Sequence, residues 1–105
     1  MIQQTINTKK ELLAILFFNK NRIRSYGVKE LSLFGSFTKE NSVHEESDVD
    51  LMVEFEEGMK SYDNFIDLNY FLEELTGRKV ELLTHFSLSK FIGPHILEQL
   101  EHVSI

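Results

Sequence analysis

The sequence predicts one small α/β (α+β) domain in which helices cover a small β-sheet. The chain has 105 residues, which is enough for a single modest core and too few for two. Hydrophobic residues make up 42% of the chain and nine residues are Phe, which favours a packed domain over a disordered one. Segments with helical hydrophobic spacing alternate with short apolar runs of strand length. We therefore expect residues 1–105 to form a single domain.

The N-terminal part predicts a helix, a strand and a turn. Thr8 and Glu11 have the spacing of a capping box, so a helix is expected to begin at Thr8. Gly27 suits the left-handed position that ends such a helix. A short strand follows at residues 31–34, and we expect a helical turn at residues 36–41.

The C-terminal part predicts two further strands and two further helices. These are a strand at residues 49–55, a helix that begins at Ser61 or Asp63 and ends at Gly77, a strand at residues 79–83 and a last helix at residues 94–101. Residues 102–105 form either a short edge strand or a frayed end. The order is that of a domain with a small sheet covered by helices.

The charge of the chain restricts its partners. The net charge is −6, and a basic cluster at residues 20–24 is predicted to occupy the last turns of a helix, where cations complement the helix dipole. We therefore expect no direct nucleic-acid binding, because proteins that bind nucleic acids normally present a basic face. The acidic balance favours bound metal cations or a basic protein partner.

Other classes of protein are excluded by composition. The chain has no cysteine, so a disulfide scaffold, a thiolate zinc site and a cysteine nucleophile are ruled out. No apolar run is long enough to cross a bilayer, and the N-terminus does not resemble a signal peptide. We expect no membrane partner and a cytoplasmic location.

Gly35 and Ser36 directly follow the first predicted strand. Glycine lets the backbone turn sharply and approach a ligand closely. If a helical turn begins there, free backbone N–H groups favour an anion such as phosphate, and the Ser36 hydroxyl adds a donor. A Gly-Ser pair alone is usually only a turn, so its functional interpretation depends on other residues.

Asp48 and Asp50 lie at the start of the second predicted strand. Residues two apart on a strand point to the same side, and neighbouring carboxylates repel unless a cation lies between them. Mg²⁺ needs few protein carboxylates and completes its coordination with phosphate and water oxygens. A solvated acidic edge is the alternative, but the apolar residues between and after the two acids place this strand in the core.

Glu81 is an isolated acid within the third predicted strand. If that strand lies beside the second, Glu81 and Asp50 can share one face of the sheet. Three acids around one or two metal ions are what phosphoryl and nucleotidyl transfer require. Glu81 is then either a metal ligand or the base that takes the proton of the attacking hydroxyl.

These features together resemble the minimal nucleotidyltransferases of the DNA polymerase β superfamily. The matching runs are LFGS at residues 33–36, SDVDL at residues 47–51 and GRKVELLT at residues 77–84. The resemblance covers nearly the whole chain, and the ordered set of motifs is more specific than any one of them. It implies a nucleotidyltransferase fold, with a small mixed sheet and helices packed on its face.

The resemblance also implies a nucleotide site. Gly35 and Ser36 would hold the nucleoside triphosphate. Many members carry Arg shortly after the Gly-Ser pair, and here Lys39 would take the place of that phosphate-contacting residue. Lysine is a point charge without the bidentate geometry of arginine, so this is a departure from the family pattern.

The same resemblance assigns the acids. Asp48 and Asp50 would bind two Mg²⁺ ions, and Glu81 would take the third acidic position, where the family more often has Asp. The stretch between Ser36 and Asp48 is also one residue longer than the commonest spacing. All three acids are thus predicted as catalytic residues and metal ligands, with ATP as the substrate.

Members of this family are commonly the antitoxins of two-gene toxin–antitoxin pairs in which the toxin is a helical HEPN-domain ribonuclease. Some silence that toxin by transferring AMP from ATP to one of its tyrosines, and others act by binding. The resemblance therefore implies a protein adenylyltransferase with a HEPN toxin as its partner, in a homo-oligomer or in a hetero-oligomer with the toxin.

Three functional hypotheses remain open on the sequence. The first is enzymatic transfer of AMP to the toxin. The second is an antitoxin with the same fold that neutralises its partner by binding alone, which the Lys39 and Glu81 departures favour. The third is a transferase for a small molecule such as an antibiotic, but such enzymes usually need an additional domain.

Overall fold

The computed structural model describes residues 5–38, 43–84 and 99–105. The elements are α1 (Lys9–Phe18), α2 (Lys20–Ser25), β1 (Val28–Phe34), a 3₁₀ turn (Gly35–Thr38), β2 (Val49–Phe55), α3 (Tyr62–Thr76), β3 (Val80–Thr84) and β4 (Glu101–Val103). This order confirms the predicted α/β (α+β) class. Lys39, the end of the predicted turn and most of the predicted last helix lie outside the described residues.

The N-terminal helix is capped as predicted but is interrupted. The Thr8 hydroxyl accepts a hydrogen bond from the Glu11 backbone N–H at 3.0 Å. The expected continuous helix is wrong at Asn19, where φ is −108° and ψ is 18°. The Asn19 side-chain amide donates to the Ile15 carbonyl at 2.8 Å, so it competes with the backbone for a helical acceptor.

The four strands form one mixed sheet in the order β3-β2-β1-β4. Strand β1 runs antiparallel to both β2 and β4, whereas β2 and β3 are parallel. The alternative of an edge strand at the C-terminus is confirmed. The helix expected to reach residue 101 is wrong at its end, because Glu101 already pairs with Leu33 in the sheet.

Helix α3 is the crossover that makes β2 and β3 parallel. Of the two predicted caps, Ser61 is the one used, since its hydroxyl accepts from the Asn64 backbone N–H at 3.1 Å. Gly77 ends the helix with φ of 70°, as predicted. Because parallel strands begin at the same edge of a sheet, this crossover brings the first residues of β2 and β3 together.

The two faces of the sheet carry different side chains. On β2, alternate residues Val49, Leu51 and Val53 are at most 1% exposed and belong to the main core, together with buried leucines of α1 and α3. Asp50 and Met52 alternate with them and so lie on the opposite face. There Met52 and Phe34 form a second, smaller buried cluster.

Two phenylalanines at the end of α1 lie at the surface. Phe17 is 46% exposed and Phe18 is 83% exposed. They end α1 just before the break at Asn19, so Leu12 and Leu16 supply the buried side of that helix instead. Within the described ranges, no helix is long and apolar enough to span a membrane.

Candidate active site

Three chain segments meet where β2 begins. Asp50 is the second residue of β2 and pairs with Phe34 on β1 and with Glu81 on β3. The sheet therefore places Glu81 directly beside Asp50, as the prediction required. Asp48 precedes the first residue of the strand rather than lying within it, so its position is set by the loop before β2.

Gly35 is packed against the carboxyl group of Asp50. Its φ is 75°, a left-handed conformation that residues with a side chain rarely adopt. A Cβ added at Gly35 would lie 2.1 Å from Asp50 Oδ2 and 3.0 Å from its Cγ. Glycine is therefore required twice, by the backbone and by the neighbouring carboxylate. The structure brings together the Gly-Ser motif and the aspartate motif, which are separate in the sequence.

The surroundings of the Asp50 carboxyl group raise its pKa. Burial, then the charge of Glu81, then the charge of Asp48 raise the pKa of Asp50 to about 6, and a hydrogen bond with the Glu81 side chain acts in the same direction. An ordinary aspartate has a pKa near 4. The site thus concentrates negative charge in a partly buried place, which is the condition under which a bound cation stabilises carboxylates.

The described residues hold no group of three His, Cys, Asp or Glu side chains arranged to bind a metal ion. The donor set nevertheless suits Mg²⁺, because this ion prefers carboxylate oxygens, needs only one or two of them and takes its other ligands from substrate phosphates and water. Asp50 with its neighbour Glu81 meets that requirement. The roles of Asp48, Asp50 and Glu81 as metal ligands and catalytic residues stay predictions.

The turn after β1 is short and is stabilised by hydrogen bonds from within it and from helix α1. Ser36 is partly exposed in the 3₁₀ turn, and Thr38 closes that turn by donating from its hydroxyl to the Gly35 carbonyl at 2.7 Å. Lys9 donates to the Thr38 carbonyl at 3.3 Å and forms an ion pair with Glu101 at 2.6 Å. The assignment of Ser36 and Lys39 to a phosphate site stays a prediction.

Phe37 is fully buried and packs in the core. Its ring lies under a side chain to which we assigned no role from the sequence, the buried Arg78. An arginine that directly precedes an apolar strand usually suggests a solvated strand end. The only sequence signal for its burial is its place inside the GRKVELLT run.

A match to a known domain family shows to which family this chain belongs. Residues 17–102 match the nucleotidyltransferase domain. The chain belongs to the nucleotidyltransferase-domain family. Since the match spans most of the chain, it includes the Gly35 turn and all three acids.

Curated relatives of this family member are named for protein adenylyltransferase activity. The protein adenylyltransferase MntA of Thermococcus cleftensis is 37% identical over 97 residues, which cover 91% of this chain and 96% of the relative. A relative from Methanocaldococcus jannaschii, also named as a protein adenylyltransferase, is 37% identical over 91 residues, or 87% of this chain and 88% of that protein. The chain thus has nearly the full length of these relatives.

Solved structures share the fold. A minimal nucleotidyltransferase superposes with a TM-score of 0.75 and 26% identity, over 90% of this chain and 94% of that one. A toxin–antitoxin structure with AMP-PNP gives a TM-score of 0.64 at 18% identity, over 91% of this chain and 72% of that one. The complex of a tri-AMPylated Shewanella oneidensis HEPN toxin with its MNT antitoxin gives 0.62 at 15% identity, over 92% and 72%. At these lower identities the likeness concerns the fold alone.

Proposed function

We propose that this protein is an antitoxin that transfers AMP from ATP to a tyrosine hydroxyl of a HEPN-domain ribonuclease toxin. The observation that carries the proposal is the packing of Gly35 against Asp50, with Glu81 as the hydrogen-bonded neighbour of that aspartate. The adenylyltransferase names of its relatives and the toxin complexes with the same fold support it. The proposal assigns the activity to residues 1–105 as a single minimal domain in the cytoplasm, where ATP is available.

The residues divide the reaction between them. The backbone of Gly35 and Ser36, with Lys39, would hold the triphosphate, and Asp48 and Asp50 would hold Mg²⁺. When bound, the ion would supply positive charge against the phosphates and the attacking hydroxyl. The tyrosine hydroxyl loses its proton to Glu81 or to water, and its oxygen forms a bond to the α-phosphorus. The bond from that phosphorus to the oxygen that bridges to the β-phosphate breaks, and pyrophosphate leaves.

Glu81 has two roles open to it in this scheme. It is exposed on β3 beside Asp50, so it can either contribute a further metal ligand or accept the proton of the tyrosine hydroxyl. Its pairing with Asp50 across β2 and β3 places the two carboxyl groups beside each other before substrate binds. A glutamine at this position keeps the size of the side chain, removes the proton acceptor and leaves only a neutral amide oxygen as a metal ligand.

A second candidate function is neutralisation of the same toxin by binding alone. It is favoured by Glu81, which is one methylene longer than the aspartate usual in this family, because nucleotidyl transfer is sensitive to displacements of about 1 Å. On this alternative the complex forms without nucleotide, and the carboxylates are dispensable for neutralisation.

A label-transfer assay distinguishes the two. The purified protein, Mg²⁺ and ATP labelled at the α-phosphate are mixed with the protein encoded by the adjacent gene. We expect label on that partner, loss of label when EDTA removes Mg²⁺, and loss of label with the Asp48→Asn/Asp50→Asn variant. Glu54→Gln, at the exposed far end of the same strand, is the matched control and should transfer AMP normally.

Two outcomes would contradict the proposal. Label transfer that survives the Asp48→Asn/Asp50→Asn change would remove these carboxylates from the reaction. A stable complex with no label from the wild-type protein, and full toxin neutralisation by the double variant, would establish binding as the mechanism.

A further inference from the structure

Arg78 is a buried cation that has no role in the transfer reaction described above. It lies between Gly77, which ends α3, and β3, and only 8% of its surface is exposed. A guanidinium is always charged at neutral pH, so its burial is costly unless its donors are satisfied. The partners that satisfy Arg78 therefore indicate what it does.

The guanidinium donates to oxygens from two other segments of the chain. Nε donates to the Ile6 carbonyl at 2.7 Å, Nη2 to Asn7 Oδ1 at 3.2 Å, and Nη1 to the carbonyls of His44 at 3.0 Å, Glu45 at 3.2 Å and Ser47 at 2.8 Å. All of these oxygens are neutral, so within the described part of the chain dipoles rather than a carboxylate compensate the charge. A planar group with several donors is suited to collecting carbonyls in this way.

The loop held by Arg78 is the one that leads into Asp48. Arg78 binds the Ser47 carbonyl, and the next residue, Lys79, accepts from the Val49 backbone N–H at 2.9 Å. Both chain neighbours of Asp48 are therefore fixed by two consecutive residues directly before β3. The loop is tightened further by the Ser47 hydroxyl, which accepts from the His44 backbone N–H at 2.9 Å.

The same guanidinium also contacts the turn after β1. The Arg78 Cζ atom lies 5.2 Å from the centroid of the Phe37 ring, within the range of a cation–π contact. Phe37 belongs to the turn that contains Gly35 and Ser36. Arg78 thus connects the glycine turn, the loop before Asp48 and the strand that carries Glu81.

We propose that Arg78 is a positioning residue that holds Asp48 and the Gly35–Ser36 turn in register with Glu81 for binding of a divalent cation and nucleotide. The inference rests on the proposed function and deepens it. A lysine cannot replace Arg78, because a single ammonium nitrogen cannot reach carbonyls spread over two segments. A positive charge alone is therefore not sufficient, because the site requires the several donors of the planar guanidinium group.

The test compares Arg78→Lys and Arg78→Gln with Ile23→Ala. Ile23 is fully buried on α2, which precedes the first residue of β1, whereas Asp50 pairs with Phe34 at the other end of that strand, so the Ile23 variant lowers stability away from the site. Hydrogen exchange of peptides that span residues 43–51 is measured without metal or nucleotide. Binding of Mn²⁺ with a non-hydrolysable ATP analogue is measured in parallel.

For both Arg78 variants we expect exchange of residues 43–51 to be about tenfold faster than in the wild type. We also expect binding of Mn²⁺ with the analogue to be weakened by about tenfold or more. Ile23→Ala should keep both values near wild type although its melting temperature falls. Wild-type exchange in Arg78→Lys, or equally fast exchange in Ile23→Ala, would overturn the positioning role.

A milder variant keeps the proposal testable if the Arg78 variants do not fold. Asn7→Ala removes one acceptor of the guanidinium from an exposed residue and should speed exchange of the same segment. Unchanged exchange in that variant would count against the proposal. If the wild-type protein transferred no AMP, the proposed function would fail, and the exchange measurements would still decide the role of Arg78.

Discussion

Strand β1 is bounded by two glycines that look alike in the backbone and differ in what they touch. Gly27 precedes the strand with φ of 90°, and Gly35 follows it with φ of 75°. An added Cβ would lie 2.5 Å from Met59 Cβ at Gly27, and 2.1 Å from Asp50 Oδ2 at Gly35. One glycine packs against a hydrophobic side chain, and the other packs against a carboxylate.

The difference shows that a left-handed glycine does not by itself identify a functional site. Both positions permit a tight turn, and both exclude a side chain. At Gly27 the close approach allows the turn after β2 to pack, with the Gly27 carbonyl accepting from the Glu56 backbone N–H at 2.7 Å. At Gly35 the close approach brings a backbone turn against an acid whose pKa is raised to about 6.

The largest expected effect is on catalysis. Gly35→Ala should reduce AMP transfer by about 100-fold or more, because a displacement of the Asp50 carboxyl by about 1 Å misplaces the reacting groups. Gly27→Ala should keep the activity of the folded fraction near wild type. Both variants should lose about 1–3 kcal/mol of stability from backbone strain. The measurements are initial rates of label transfer and unfolding in urea.

Equal loss of activity in the two glycine variants, at equal folded fraction, would contradict the comparison. It would mean that any disturbance of β1 inactivates the protein. Full activity in Gly35→Ala would instead remove the turn from the site.

A double-mutant cycle tests the contact itself. Because the Cβ of Gly35→Ala would meet the Asp50 carboxyl, Asp50→Ala should relieve part of the strain. We expect a coupling free energy between the two changes of about 1–3 kcal/mol. Gly27→Ala combined with Asp50→Ala should be additive. Additivity in the Gly35 cycle would show that the carboxyl group moves away freely, and the double variant should remain inactive in any case.

The pH dependence of stability gives a smaller effect. The pKa of Asp50 is raised in the folded state, so the folded protein binds a proton more tightly than the unfolded chain between about pH 4 and pH 6. The contribution of Asp50 is then greatest below pH 4 and is lost as the pH rises through 6. Asp50→Asn should remove this loss of stability with rising pH and should stabilise the protein at pH 7. The gain should be on the order of 1 kcal/mol, because the side chain is only partly buried and water screens its charge.

This effect is measured by urea unfolding at several pH values in EDTA, with Glu54→Gln as the control that keeps the wild-type slope. If Asp50→Asn kept the wild-type dependence of the unfolding free energy on pH, that dependence would arise from other titrating groups. Mg²⁺ added to the wild type should stabilise the protein at pH 7, because it relieves the repulsion between the carboxylates.

The smallest expected effect concerns the ion pair near the turn. Glu101→Gln breaks the 2.6 Å contact with Lys9, whose amino group also donates to the Thr38 carbonyl. Both partners are partly exposed, so the loss should be no more than about 1 kcal/mol and should shrink in high salt. A salt-independent loss well above that value would show that the ion pair, and not only Gly35, determines the geometry of the turn. Thermal unfolding at two salt concentrations checks this.

Much of the candidate site follows from local sequence pattern. Gly35 and Asp50 were predicted from their places next to apolar runs, and the structure brings them into contact. The pairing of Asp50 with Glu81 was conditional on the order of the strands, which periodicity does not specify. The helix caps at Thr8, Ser61 and Gly77 were predicted because they are local interactions.

Errors arose where a residue's environment depends on distant parts of the chain. Aromatic side chains are usually buried, but the break at Asn19 leaves Phe17 and Phe18 at the surface. Arg78 was missed for the opposite reason: a charged residue is usually exposed, and its burial depends on carbonyls of Ile6 and Ser47 that are far away in sequence.

The sequence by itself determined the class of the fold, the family resemblance and the candidate acids, because these depend on residue types at short spacing. Only the tertiary structure decided that β2 and β3 are neighbours, that Gly35 contacts Asp50 and that Arg78 is buried beneath the loop before Asp48. The physical reason is that close packing and charge compensation are properties of side chains brought together by the sheet, and the local pattern of any one segment does not contain them.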